Sequence, residues 1–309
     1  MRTLVMGAGA VGCYFGGLLA RTGVPVVFVA RGANLAALRG RGLRSVGGEG
    51  TLHLDGIEAV ADPAEAGPCD LVLVCVKSYD TAAAAAALRP VMRTDTVVLS
   101  LQNGIENETT LAAILELPPL LAGLTHIGAE LVAPGVVRHD SGGRIVFGEL
   151  DGRRSARALR LAQLFAAAGI AHRLSEHISV MLWDKLAWNA AFNASTALAR
   201  RTVGELLAQP DGRLLVTAAM LEVVAVANAG GVALDPARVG PEIERSAREL
   251  GGLRTSMLQD RERGRRLEYD ALNGAVVRAA ERSGVAVPVN RVLYSLLAML
   301  DRKSPAVSP

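Results

Sequence analysis

A chain of 309 residues, half of them hydrophobic and only 20% charged, carries ample material for a buried core and exceeds one ordinary domain. A mainly disordered protein is excluded, and the length favours about two domains. Lys and Arg outnumber Asp and Glu by 33 to 30 and are scattered rather than striped, so neither a nucleic acid nor an acidic membrane is an indicated partner.

The first strand is expected to begin at Arg2 or Thr3, which leaves no room for a leader and implies a cytoplasmic location. Four apolar runs follow in the first half: Thr3-Leu4-Val5-Met6, Val26-Val27-Phe28-Val29, residues 71–76 and residues 96–101. Runs of four to six without alternation are strands covered on both faces, so a parallel sheet flanked by helices is expected. Over 43–60 and 120–147 the spacing tightens to strand and turn, which suggests antiparallel hairpins added to that sheet. From about residue 175 onward the periodicity is helical, broken by Gly or Pro. The reading is therefore α/β: a doubly wound domain over 1–174 and an all-α domain over 175–309. Residues 214–232 are the best membrane-span candidate, but Glu222, Asn228 and a Gly-Gly pair make them a buried helix with its exit turn. Apolar helical faces serve core and dimer contacts equally, so a homodimer is compatible with the sequence. Cys13, Cys69 and Cys75 read as small buried hydrophobes in a reducing compartment. Only residues 304–309 look like a frayed tail.

Gly7-Ala8-Gly9-Ala10-Val11-Gly12 follows the first strand and opens a helix, the context in which this pattern binds a dinucleotide on a Rossmann-type sheet. Gly7 permits the tight turn, Gly9 lets backbone approach a pyrophosphate, and Gly12 lets the helix lie close to the sheet. Nineteen residues after Gly12, where an NAD enzyme carries an acid, stands Arg31, and no acidic residue occurs before Glu49. That favours NADP(H), although Arg31 also reads as a solvated arginine at a strand end.

Only three of the 33 basic residues are lysine: Lys77, Lys185 and Lys303. A chain that accepts Arg nearly everywhere keeps Lys where a compact ammonium with a tunable pKa is needed. Lys303 sits in the tail and is set aside. Lys77 follows the third apolar run, at the carboxyl edge of the sheet where such folds bind ligands. Lys185, Asn189 and Asn193 step by four within an apolar segment, so on a helix they share an arc of about 80°. This stripe either faces a cleft and a polar ligand or is a solvated face. Taken alone, Glu268 reads as solvated, since residues 260–270 are thick with charge. Asp260 and Asp270 read as surface or cap residues, and Asn103-Gly104 also fits an ordinary turn. The five histidines are dispersed, without ligand spacing, and no metal centre is expected; His126 is a rival proton donor to Lys185.

With these motifs assembled, the chain resembles the ketopantoate reductase family over essentially its full length. The matching pieces are the glycine loop with Arg31, Lys77 after Val74-Cys75-Val76, Gln102-Asn103-Gly104, Trp183-Asp184-Lys185-Leu186 with Asn189 and Asn193, Ser256-Met257-Leu258-Gln259-Asp260, and Glu268-Tyr269-Asp270-Ala271-Leu272-Asn273-Gly274. The resemblance implies NADPH-dependent reduction of a 2-oxo acid, 2-dehydropantoate to (R)-pantoate, on the way to pantothenate. It implies Lys185 as general acid, and Asn103, Asn189, Asn193 and Ser256 as substrate ligands. It also implies that Asn103, Lys77 and Glu268 approach the cofactor, with backbone near Ala129 closing over it. Some members carry a further substrate-binding Asn where this chain has Val203.

The chemistry is independent of that resemblance. Reducing a 2-oxo acid needs a hydride, a proton donor at the carbonyl oxygen, and neutral or cationic partners for the carboxylate. An ammonium can stabilise and protonate the alkoxide, while amides and a hydroxyl can hold the acid without adding charge. Two alternatives remain at this level: a related 2-oxo or hydroxy acid dehydrogenase with another pocket, and a non-catalytic NADP(H) sensor.

Overall fold

The computed structural model describes residues 1–47, 50–117 and 120–301; Lys303 and the tail 304–309 lie outside them. The chain divides into two compact units, Met1–Gln102 with Asn107–Ile178, and Asn103–Glu106 with Ser179–Pro309.

In chain order the first unit holds β1 (Thr3–Met6), α1 (Ala10–Arg21), β2 (Val26–Val29), α2 (Gly32–Arg41), β3 (Leu43–Gly47), β4 (Leu52–Leu54), β5 (Glu58–Val60), β6 (Leu71–Val74), α3 (Thr81–Leu88), β7 (Val97–Ser100), α4 (Asn107–Leu115), β8 (Leu121–Ala133), β9 (Val136–Glu149), α5 (Ala156–Ala167) and β10 (Ala171–Leu174). The strands form one sheet in the order β4-β3-β9-β8-β7-β6-β1-β2-β5, with β10 beside β9. The stretch β5-β2-β1-β6-β7-β8 is parallel throughout. By order of appearance that is the 3-2-1-4-5-6 arrangement of a doubly wound dinucleotide fold.

Successive side chains of these short strands point to opposite faces, and both faces are dry. Val5, Phe28, Leu73 and Leu99 pack with Phe15 of α1 and Phe165 of α5. Leu4, Val27, Val72 and Val98 pack on the other face with Leu88 of α3 and Leu111 of α4. Two-sided burial is why the strands read as unbroken apolar runs.

The expected hairpins need one correction. Strands β8 and β9 do pair antiparallel, and so do β3 and β4, with Leu43 opposite Leu54. Strand β5 instead joins the parallel edge, Phe28 facing Ala59, while β3 runs parallel to β9. A three-residue strand has too little pattern of its own to name its partner.

The second unit contains α6 (Ile178–Ala199), which begins on the last residue of the first unit, then α7 (Val203–Leu207), α8 (Pro210–Ala229), α9 (Val239–Glu249), α10 (Ser256–Glu262), α11 (Ala275–Ser283) and α12 (Pro288–Asp301). A π-helical turn, Asp270–Gly274, leads into α11. No strand occurs among its described residues. Its aliphatic core draws on Phe192, Val216, Val223, Ile243, Val276 and Leu293. Helix α8 is long and apolar enough to cross a membrane by length and composition alone. Its Glu222 carboxylate accepts the first backbone N–H groups of α12, from Val289 and Asn290, at 2.8 Å each. Asn228 closes the exit turn by exchanging two hydrogen bonds with the Leu234 backbone. With Val216, Ala219, Met220 and Val223 buried, α8 is packed as a core helix of this unit.

Candidate active site

In the first unit the carboxyl ends of β2, β1, β6 and β7 lie level, because Met6 is registered with both Val29 and Val74, and Val74 with Ser100. The loops leaving these strands therefore open at one edge of the sheet. They carry Arg31 after β2, the glycine loop after β1, and Lys77 after β6. Arg31 is exposed, starts α2, and its guanidinium makes no hydrogen bond among the described residues. Lys77 is partly exposed, on a short 3₁₀ turn, Ser78–Asp80.

The three glycines differ in what they do. Gly7 holds a left-handed φ of +106°, and a Cβ there would lie 2.8 Å from the Val76 nitrogen. A Cβ on Gly12 would stand 2.2 Å from the Gly7 carbonyl oxygen, so α1 could not pack so close to β1. Gly9 has ordinary extended backbone, φ −80° and ψ −165°, and nothing lies within 4 Å of its added Cβ. It caps α1 without a side chain, and the first turn carries no acid. The first amide groups of the helix are thus open to an anion, with the helix dipole behind them.

The second unit gathers a different set. Helix α6 brings Lys185, Asn189 and Asn193 onto one stripe. Asn189 and Asn193 are 7% and 3% exposed, so the solvated-face alternative does not hold for them. Their amide side chains make no hydrogen bond among the described residues. Burial lowers the Lys185 ammonium to about 8 from its usual 10.5, while the Glu268 carboxylate pulls it back upward. Glu268 is itself buried, contrary to the solvated reading of its charged neighbourhood, because the segment folds back over the α6 helix. Ser256 is exposed at the first position of α10. Its neighbour Thr255 caps that helix and shares a 2.7 Å hydrogen bond with Thr196, one turn beyond Asn193. Asn103 is partly buried in the short segment Asn103–Glu106 that counts with this unit.

Other expectations fall differently. Asp260 is 5% exposed, buried on the inner side of α10 beside Arg265, and is not a surface residue. Asp270 is exposed and paired with Arg278. His126 lies exposed on β8, and Ala129 sits on the same strand opposite His139, beside a register shift in the ladder. Val203 is completely buried in the aliphatic core and offers nothing polar. Cys13 and Cys69 are buried as expected, but Cys75 is partly exposed.

Sequence pattern gave no bracing role to the polar residues that tie these loops, although Gln102 stands in one of the motifs. Asn34 of α2 donates to the Ala8 carbonyl at 2.7 Å and accepts from the Gly135 N–H, fixing the glycine loop. Gln102 donates to the Val76 carbonyl and to Thr81, and Thr81 donates to Asn107, so the β6 and β7 exits are tied together. One signal was available: Asn34 is an amide standing among small and apolar neighbours.

A model of the family described as ketopantoate reductase PanE/ApbA matches residues 3–152, and its C-terminal counterpart matches residues 177–301. The chain belongs to the ketopantoate reductase family. It is 37% identical to a 2-dehydropantoate 2-reductase of Halobacterium salinarum, over 98% of this chain and 99% of that one. Among solved structures, a PanE/ApbA family ketopantoate reductase from Ralstonia eutropha superposes with TM-score 0.90 at 38% identity, covering 97% of this chain and 98% of that one. A 2-dehydropantoate 2-reductase from Geobacter metallireducens superposes with TM-score 0.92 at 35% identity, covering 97% and 99%.

Ketopantoate reductases are oxidoreductases, and a nicotinamide cofactor goes with the family. The residues present fit such a group. Gly9 is required neither by backbone conformation nor by packing, and the open space over it at the uncapped start of α1 is what a pyrophosphate needs.

Proposed function

We propose that this chain is an NADPH-dependent 2-oxo acid reductase whose substrate is 2-dehydropantoate, reduced to (R)-pantoate. One observation carries the reading: a partly buried lysine, lowered to about 8 by its surroundings and balanced by a buried carboxylate, on a helix that also presents two buried amides without hydrogen-bond partners among the described residues. Burying such groups is costly, and a polar ligand offsets the cost.

A bound nicotinamide would supply the hydride. The glycine loop from Gly7 through Ala8, Gly9, Ala10 and Val11 to Gly12 would hold its pyrophosphate, with Lys77, Asn103, Glu268 and the Ala129 backbone as further contacts. Arg31 supports the phosphorylated form, since a guanidinium fork grips a 2′-phosphate and the sequence holds no acidic residue before Glu49.

Lys185 donates its proton to the carbonyl oxygen of the substrate and stabilises the alkoxide as it forms. With a pKa of about 8 it is charged at neutral pH yet gives up the proton readily. Glu268 keeps that ammonium charged in a dry setting. Asn189, Asn193 and Ser256 donate hydrogen bonds to the acid, and Asn103 does so from the β7 exit. A reductase of another 2-oxo acid is the second reading, favoured by the apolar Val203.

The test is NADPH consumption with ketopantoate beside oxaloacetate, pyruvate and 2-oxoisovalerate. Ketopantoate should give the highest kcat/KM, and Lys185→Ala should lower it by about 10²–10⁴, the usual worth of a positioned acid. Undiminished turnover by Lys185→Ala would remove Lys185 from the mechanism. Cofactor binding without turnover of any acid would make the chain a sensor.

A further inference from the structure

A fully buried polar chain runs through the second unit, and the reaction described above leaves it unused. Asn273, in the π-helical turn, is completely buried. Its amide donates to the Ala190 carbonyl of α6 at 2.9 Å and to the Asn290 side-chain oxygen at 3.1 Å. Asn290, also completely buried, donates to the Ala219 carbonyl of α8 and to Glu222, whose carboxylate caps α12. One atom stays unsatisfied: the Asn273 side-chain oxygen has no partner.

A leucine would fill the same volume without that orphaned oxygen, so packing does not account for the amide. Its placement does. Ala190 lies next to Asn189, midway along the stripe from Lys185 to Asn193. Asn273 lies five residues after Glu268, in a turn whose backbone hydrogen bond runs from Gly274 to Tyr269. Leu267 and Leu272 hold this segment in the apolar core, and a directional hydrogen bond to α6 fixes how it is turned there.

We propose that Asn273 is a positioning residue, whose bond to the Ala190 carbonyl holds the segment bearing Glu268 against α6 so that the Glu268 carboxylate stays within electrostatic reach of the Lys185 ammonium. This rests on the reading of Lys185 as the proton donor. The Glu268 carboxylate raises Lys185 against the pull of burial. Loosening the segment removes the influence that keeps the ammonium charged. The acid is then lost at lower pH.

The experiment measures kcat against pH for NADPH-dependent reduction of ketopantoate by the wild type, Asn273→Leu and Val276→Ala. The last is a control that opens a cavity in the adjoining helix, at a buried residue away from the stripe. Wild-type kcat should fall above about pH 8, as an acid with that pKa deprotonates. In Asn273→Leu the limb should move acidward by about half a unit or more, so that kcat drops about 2-fold or more further at pH 8 than at pH 6, with KM little changed. Val276→Ala should lose thermal stability and leave the limb in place. An unmoved limb in Asn273→Leu, whatever its stability, overturns the proposal. If Asn273→Leu does not fold, Asn273→Ala, which removes the donor and adds no volume, decides by the same criterion. A wild type without the limb, or an active Lys185→Ala, would instead overturn the reading of Lys185, and this proposal with it.

Discussion

Glu108 should make the first unit less stable as pH rises from 4.5 to about 7, and Glu108→Gln should abolish that dependence. The residue stands in the first turn of α4 and is 4% exposed. Burial raises its carboxyl from the usual 4.5 to about 7, against its own backbone N–H and the Ser100 hydroxyl, which both favour the anion. The unfolded chain releases this proton near 4.5, so between 4.5 and 7 the folded protein binds more protons. Folding stability therefore falls with rising pH across that window, and the loss is complete above the folded value. At 1.36 kcal/mol per unit, the shift from 4.5 to about 7 amounts to roughly 3 kcal/mol. Glutamine has nearly the shape of the protonated acid and does not titrate. The stability advantage of Glu108→Gln should be near zero at pH 4.5, grow by about 1.4 kcal/mol per unit, and level off at roughly 3 kcal/mol above pH 7. Urea unfolding followed by far-ultraviolet circular dichroism at several pH values measures it. Tryptophan fluorescence is an internal control, because Trp183 and Trp188, the chain's two tryptophans, both lie in the second unit. A difference between variant and wild type that does not change from pH 5 to pH 8 would show that Glu108 is ionised in the folded state and the argument from burial is wrong.

The parts of the fold and site that could be read from sequence are those written by local rules. Strands buried on both faces leave uninterrupted apolar runs, so β1, β2, β6 and β7 were legible, and with them the sheet edge at which the glycine loop, Arg31 and Lys77 emerge. Lys185, Asn189 and Asn193 were legible because helical geometry alone puts a four-residue spacing on one face. What was not legible depends on partners far along the chain. Strand β5 has three residues, and its place beside β2 rests on pairing with residues far earlier in the chain, Ala59 with Phe28. Glu268 looks solvated because its neighbours in sequence are charged, whereas its segment packs in the core through Leu267 and Leu272 and bonds α6 between Asn273 and Ala190, 83 residues apart. Asp260 misled for the same reason: a helix of seven residues has an inner side, and composition does not say which side that is.

The remaining predictions concern the dinucleotide loop. Arg31→Asp should lower the preference for NADPH over NADH by about 10-fold or more in kcat/KM, since it replaces a phosphate-binding cation with an acceptor for ribose hydroxyls; an unchanged ratio would show that another group reads the 2′-position. Gly12→Ala and Gly9→Ala should part company, although both add one methyl group to the same loop. At Gly12 the new carbon meets backbone, 2.2 Å from the Gly7 oxygen, and no rotamer change relieves it. The first unit should lose about 1–3 kcal/mol or more, read as a lowered unfolding midpoint, whether or not cofactor is present. At Gly9 the new carbon meets nothing and the backbone is already extended, so thermal stability without cofactor should stay within about 0.5 kcal/mol of wild type. Its NADPH affinity should nevertheless fall about 10-fold or more in fluorescence titration, because the methyl occupies the approach to the first turn of α1. If Gly9→Ala binds NADPH as tightly as wild type, the space above Gly9 is not where the pyrophosphate lies, and the cofactor must enter by another part of the sheet edge.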